Sequence, residues 1–187
     1  MKRTLIILAI TFMALASMGQ AFDGVPIKGD LATAIAKFRT KGYTLISQDK
    51  DGAIMKGMTN GREWELYISL TPITKQIWKM AVYGPKRQTW EALKADYDTY
   101  REILTDKYGA RTDEYKQFRG NYYEGDGYEF TAVLLEKCVY TAIWMTTENL
   151  NISLEITKYA QIRLAYENNV LSELMSQERA RLDRNAF

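Results

Sequence analysis

The sequence predicts an α+β protein built from two consecutive helix-plus-antiparallel-sheet units and a C-terminal helix. Three observations carry this. Between Thr89 and Gly109, Trp90, Leu93, Tyr97, Tyr100, Leu104 and Tyr108 recur at steps of three and four, so one face of a long helix is apolar. Elsewhere the period is two: Trp64, Leu66, Ile68 and Leu70 alternate with Glu63, Glu65, Tyr67 and Ser69, and Leu150, Ile152, Leu154 and Ile156 alternate with Asn151, Ser153 and Glu155. Third, a helical pattern precedes about four strand patterns in each half of the chain. A sheet with one apolar face has to cover it, and the helix before it is the nearest cover. The expected division is a signal peptide at 1–21, a first αβ unit at 22–85 and a second at 86–187 that includes the terminal helix, all in one compact globule.

Lys2 and Arg3, the apolar run Leu5 to Ala16 and the small residues Ser17, Gly19 and Ala21 follow the order of a secretory signal peptide. Cleavage is expected after Gly19 or Ala21. The apolar run is about a dozen residues, short of the ~20 that span a bilayer as a helix, so no stable membrane span is expected. Phe22 to Gly29 reads as an extended lead-in with Pro26. Asp30 is placed to cap a helix running to about Lys41, with Leu31, Ala34, Ile35 and Phe38 on its apolar side. Strands are expected at Tyr43 to Gln48, Ala53 to Met58, Glu63 to Leu70 and Ile77 to Tyr83, with Asn60-Gly61 as a hairpin signal and Pro72 in a turn.

The long helix begins at Thr89, a suitable N-cap, and stops at Gly109, a residue that tolerates positive φ. Strands are then expected at Arg111 to Phe118, Tyr128 to Glu136, Tyr140 to Thr146, Leu150 to Ile156 and Gln161 to Tyr166. The terminal helix, Asn168 to about Leu182, is expected against an edge of the sheet. The two sheets are free to join edge to edge.

Composition removes whole classes of function. Without Lys2 and Arg3 the basic count falls from 25 to 23 and equals the 23 acidic residues, and no Lys/Arg-dense block occurs, so nucleic acid is not an expected partner. The chain has no histidine, which eliminates Ser-His-Asp and Cys-His catalysis and histidine-dependent zinc sites. Cys138 is the single cysteine, so no internal disulfide forms. Asp49 to Asn60 opens like a calcium loop but places Ile54 where glycine is needed and Asn60 where glutamate is needed. No catalytic residue, metal site or cofactor is predicted.

Phe22-x-Gly24-Val25-Pro26-Ile27-x-Gly29, Lys41-Gly42-Tyr43 and Leu104-x-x-Lys107-Tyr108-Gly109, with Trp90 and Leu93 between them, resemble a group of small exported proteins of Bacteroides-type bacteria. The match is clearest from Phe22 to Gly109. It implies export and carries no catalytic residue. The duplicated helix-plus-sheet outline is similar to the β-lactamase inhibitor protein architecture, a likeness of fold that implies no inhibition.

One loop stands out. Phe118, Arg119, Tyr122, Tyr123 and Tyr128 crowd a stretch with Glu124, Asp126 and Glu129, whereas the corresponding link in the first half is short and polar. Tyrosine and arginine dominate binding hot spots, and aromatic loops on rigid scaffolds carry recognition. The expected function is therefore an exported cell-envelope binding or interaction module without catalytic activity, periplasmic or secreted, whose partner is an envelope protein or a glycan. The competing class is a carboxylate-dependent glycan hydrolase using Glu124 or Glu129, because glycoside hydrolysis needs paired carboxylates.

Overall fold

The computed structural model describes residues 21–59 and 61–186; the expected signal peptide, apart from Ala21, and Asn60 of the expected hairpin signal lie outside them. Helices combine with a large antiparallel sheet, an α+β architecture. The chain opens with a two-residue ladder, β1 (Ala21–Phe22) and β2 (Val25–Pro26). This segment was expected to be simply extended. It turns because Asp23 (φ 47°) and Gly24 (φ 71°) both adopt positive φ, the geometry of a tight hairpin.

Helix α1 (Leu31–Thr40) starts where Asp30 accepts the Thr33 amide at 2.8 Å and buries Leu31, Ala34, Ile35 and Phe38. Strands β3 (Thr44–Gln48), β4 (Gly52–Thr59), β5 (Arg62–Leu70) and β6 (Ile77–Tyr83) follow as a meander. Helix α2 (Trp90–Tyr108) is capped by Thr89, whose hydroxyl accepts the Ala92 amide at 3.3 Å. It ends at Gly109, with φ 84° and ψ −162°, a conformation essentially closed to side-chain-bearing residues.

After α2 come β7 (Asp113–Phe118), α3 (Glu129–Leu134), β8 (Cys138–Met145), β9 (Leu150–Thr157), β10 (Gln161–Asn168) and α4 (Asn169–Ala186). Tyr128 to Glu136, expected as a strand, is instead largely the short helix α3. Its buried residues Glu129, Ala132 and Val133 fall at i, i+3 and i+4, the spacing of a helix face rather than of a pleat.

Eight strands form one sheet in the order β3-β4-β5-β6-β10-β9-β8-β7, with antiparallel neighbours throughout. The last strands of the two meanders, β6 and β10, pair at its centre, Val82 opposite Leu164 and Met80 opposite Tyr166. One face carries Met55, Leu66, Met80, Ile152 and Leu164 into a continuous core beneath α1 and α2. Burial of this apolar surface is the main stabilising term, worth about 25 cal/mol per Å² removed from water. Trp90, Tyr97 and Tyr140 meet edge to face there, with ring centroids 5.2 and 5.4 Å apart.

Helix α4 does not sit at an edge. It packs on the central strands β6 and β10, because Asn168 at the end of β10 accepts the Leu171 amide and turns the chain directly into the helix. Farther along, the buried Glu178 accepts the Ile73 amide at 2.6 Å and the Thr74 hydroxyl at 2.7 Å, locking α4 to the turn between β5 and β6.

Candidate functional site

The expected docking loop is a built structure between β7 and α3. Asp126 accepts the Tyr123 amide at 3.0 Å and the Tyr128 amide at 2.7 Å. Glu129, itself buried, accepts the Gly125 amide at 2.7 Å. Gly125 and Gly127 sit at φ 90° and 78°, which lets the backbone wrap around these carboxylates. Glu124 accepts the Tyr140 hydroxyl at 3.0 Å. Burial, and secondly this bond, raise the Tyr140 hydroxyl above its ordinary pKa. All three acidic side chains are thus acceptors that hold the loop in place, and no observation favours a hydrolytic role for Glu124 or Glu129.

The aromatic residues of the loop divide. Phe118 is half-buried at the end of β7 and packs on Trp90 and Tyr140, with both centroids at 6.2 Å, so its ring belongs to the core. Tyr122 is half-buried. Tyr123 and Tyr128 are 65% and 63% exposed. Arg119 is exposed, and its amide donates to the Lys137 carbonyl at 2.8 Å, closing the base of the loop. Of the five candidate residues, Tyr123, Tyr128 and Arg119 are therefore the exposed ones.

A second site lies on the sheet face opposite the core. Pairing registers place Lys56, Glu65, Tyr83, Arg163, Glu155 and Thr141 in one row across six successive strands, from β4 to β8. A cavity of about 560 Å³ opens beside this row, lined among others by Glu65, Tyr67, Tyr83, Tyr159 and Gln161. A neighbouring cavity of about 370 Å³ shares Tyr83 and Tyr159 and extends to Glu155, Arg163 and the α3 residue Val133. Together they form a groove. Tyr67 and Tyr83 stand edge to face at 5.1 Å, and the Tyr67 hydroxyl donates to Glu65 at 3.3 Å. Burial and the Glu65 charge raise the Tyr67 hydroxyl above its ordinary pKa.

Sequence reasoning missed this groove. One signal was present: Tyr67 occupies the polar parity of β5, where a large ring has no core to fill. Tyr83 and Tyr159 carry no such mark, since only strand pairing brings them beside Tyr67.

Among the described residues no group of three or more Cys, Asp or Glu side chains is arranged to hold a metal ion, and no helix is long and apolar enough to cross a membrane. No family model matches the chain, and no curated protein or solved structure matches it either. The class is thus defined by fold and site alone: an α+β protein with an open eight-stranded antiparallel sheet, a tyrosine-bearing loop and a tyrosine-lined groove.

Proposed function

We propose that this protein is an exported, non-catalytic binding module of the cell envelope that presents Tyr123 and Tyr128 to a partner there. The observation that carries this is the pairing of two exposed tyrosine rings with a loop already held by Asp126 and Glu129. A pre-formed loop loses little conformational entropy on binding, and tyrosine supplies wide contact area with few rotatable bonds. The acidic residues that a hydrolase would use are engaged in holding the loop.

Export rests on the order of charged, apolar and small residues at the start of the chain and on the resemblance to exported Bacteroides-type proteins. N-terminal sequencing from the native host should give a start at Gln20 or Phe22, and a start at Met1 would refute it. We further propose that the two halves are tandem copies of one unit, 22–85 and 86–187. The recurring order of a helix and a four-stranded meander supports this, as does the meeting of the equivalent last strands β6 and β10.

The test of function is the double variant Tyr123→Ala/Tyr128→Ala, compared with wild type in capture from envelope extract and in thermal unfolding. Surface positions of this kind shift stability by less than about 0.5 kcal/mol. Loss of the two rings should weaken the partner by roughly 2 kcal/mol or more. A partner retained at full strength by the double variant would reject the loop as the site.

A further inference from the structure

The groove on the polar face of the sheet is lined by residues other than the exposed loop tyrosines Tyr123 and Tyr128. We infer that it takes a neutral oligosaccharide, with sugar rings laid along Tyr67, Tyr83 and Tyr159. Three features point to this class of ligand.

Charge comes first. Lys56 pairs with Glu63 at 2.9 Å, Arg163 with Glu155 at 2.8 Å and Lys158 with Glu136 at 3.3 Å, so the ions around the groove are satisfied by one another. Glu65 lies 4.0 Å from the same Lys56, and Lys86 on the rim balances the remaining acid. The groove has no net field to attract a phosphate, a nucleic acid or a charged peptide.

Surface chemistry is second. A sugar ring has one face of C–H groups and an edge of hydroxyls. Tyrosine offers a ring for the first and a hydroxyl for the second. Glu65, Gln161 and Arg163 add carboxylate, amide and guanidinium groups beside those rings, which are planar donors and acceptors suited to vicinal hydroxyls. An apolar ligand fits less well, because the row that lines the groove sets Glu65 and the Arg163–Glu155 ion pair beside the tyrosines.

Shape is third. Each cavity is within the range of about 300 to 1,000 Å³ typical of small-ligand sites or close to its lower part. The two adjoin through Tyr83 and Tyr159, so the groove is elongated and fits a chain of sugar units better than a single compact molecule. Tyr159 is 59% exposed at the turn between β9 and β10, and Lys158 stands 5.7 Å from its ring centre.

Isothermal titration of the purified protein with maltohexaose, cellohexaose, chitohexaose and mannohexaose tests the inference. At least one should bind, and raising sodium chloride from about 50 to about 500 mM should change its Kd by less than about twofold, since a neutral ligand is not screened. Tyr159→Ala should weaken binding about tenfold through loss of one stacking ring. Its exposure keeps that variant folded, so the result stands even where Tyr83→Ala, which also removes a packing partner of Tyr67, unfolds the sheet. Tyr159→Phe keeps the ring and should bind within about threefold of wild type. The loop variant Tyr123→Ala/Tyr128→Ala should bind the same sugar unchanged, so groove and loop stand or fall separately. Failure of all four sugars to bind, binding indifferent to Tyr159→Ala, or salt-sensitive preference for polygalacturonate over them would each overturn the inference.

Discussion

Arg87 grips Asp96 with two nitrogens, Nε 2.6 Å from Oδ2 and Nη2 3.1 Å from Oδ1. Asp96 is almost fully buried on α2, and Arg62 at the start of β5 adds a third bond at 2.7 Å. One carboxylate therefore ties the long helix to the first half of the sheet and to the link that precedes the helix. The bond to Asp96 raises the Arg87 guanidinium above its ordinary pKa. Arg87→Ala leaves a buried carboxylate with a single partner and is expected to cost about 2 kcal/mol, the range of a charge-assisted hydrogen bond. Urea unfolding followed by tryptophan fluorescence measures it, and an unchanged midpoint would show that Arg62 and water suffice.

Glu178 should govern part of the acid stability. Burial pushes its carboxyl up, but bonds from the Thr74 hydroxyl and from the Ile73 and Thr74 amides outweigh that and hold it below its ordinary pKa. A folded value below the unfolded one stabilises the fold above the unfolded pKa of about 4.3, and that contribution is lost as pH falls through the folded value. The melting temperature should therefore drop below about pH 4, and Glu178→Gln should lower it at pH 7 while flattening the acid slope. Parallel melting curves from pH 3 to pH 7 decide this.

Cys138 is expected to be chemically quiet. Burial, assisted by the charges of Glu124 and Glu129, pushes its thiol up to about 12. Because only the thiolate attacks, reaction with a disulfide reagent at pH 8 should be at least about a hundredfold slower in the native protein than in urea. Equal rates would place the thiol outside the packed structure.

Gly57 is required by a ring. A methyl group there would lie 2.6 Å from Tyr43 Cγ, and Tyr43 is itself buried edge-on against Phe38 at 5.2 Å. Neither ring has space to retreat, so Gly57→Ala should destabilise by about 1 to 3 kcal/mol, the cost of overpacking. Thermal unfolding at neutral pH checks the sign.

The long helix was legible down to its ends. Thr89 caps it, Gly109 stops it, and Trp90, Leu93, Tyr97 and Leu104 are buried as their spacing requires. Helix α3 was not legible, because a six-residue helix buries only three side chains and offers too short a period to outweigh strand-forming Phe130, Thr131 and Val133. The aromatic loop was visible as a cluster, yet its division into a core ring at Phe118 and free rings at Tyr123 and Tyr128 depends on where Trp90 and Tyr140 stand.

From the sequence alone follow the identity of α1, α2, α4 and most strands, the apolar faces of α1, α2, β5 and β9, and the exclusion of histidine chemistry and of any internal disulfide. These rest on neighbours within a few positions, where side-chain period and capping act. Tertiary structure alone decided that β6 and β10 pair, that α4 meets these central strands rather than an edge strand, that Asp96 is buried between Arg62 and Arg87, and that Tyr67, Tyr83 and Tyr159 share a groove. The backbone amides and carbonyls that join two strands are the same at every residue, so nothing local marks which strands will meet. That choice belongs to the burial of both apolar faces at once, and it is what brings the groove's distant tyrosines together.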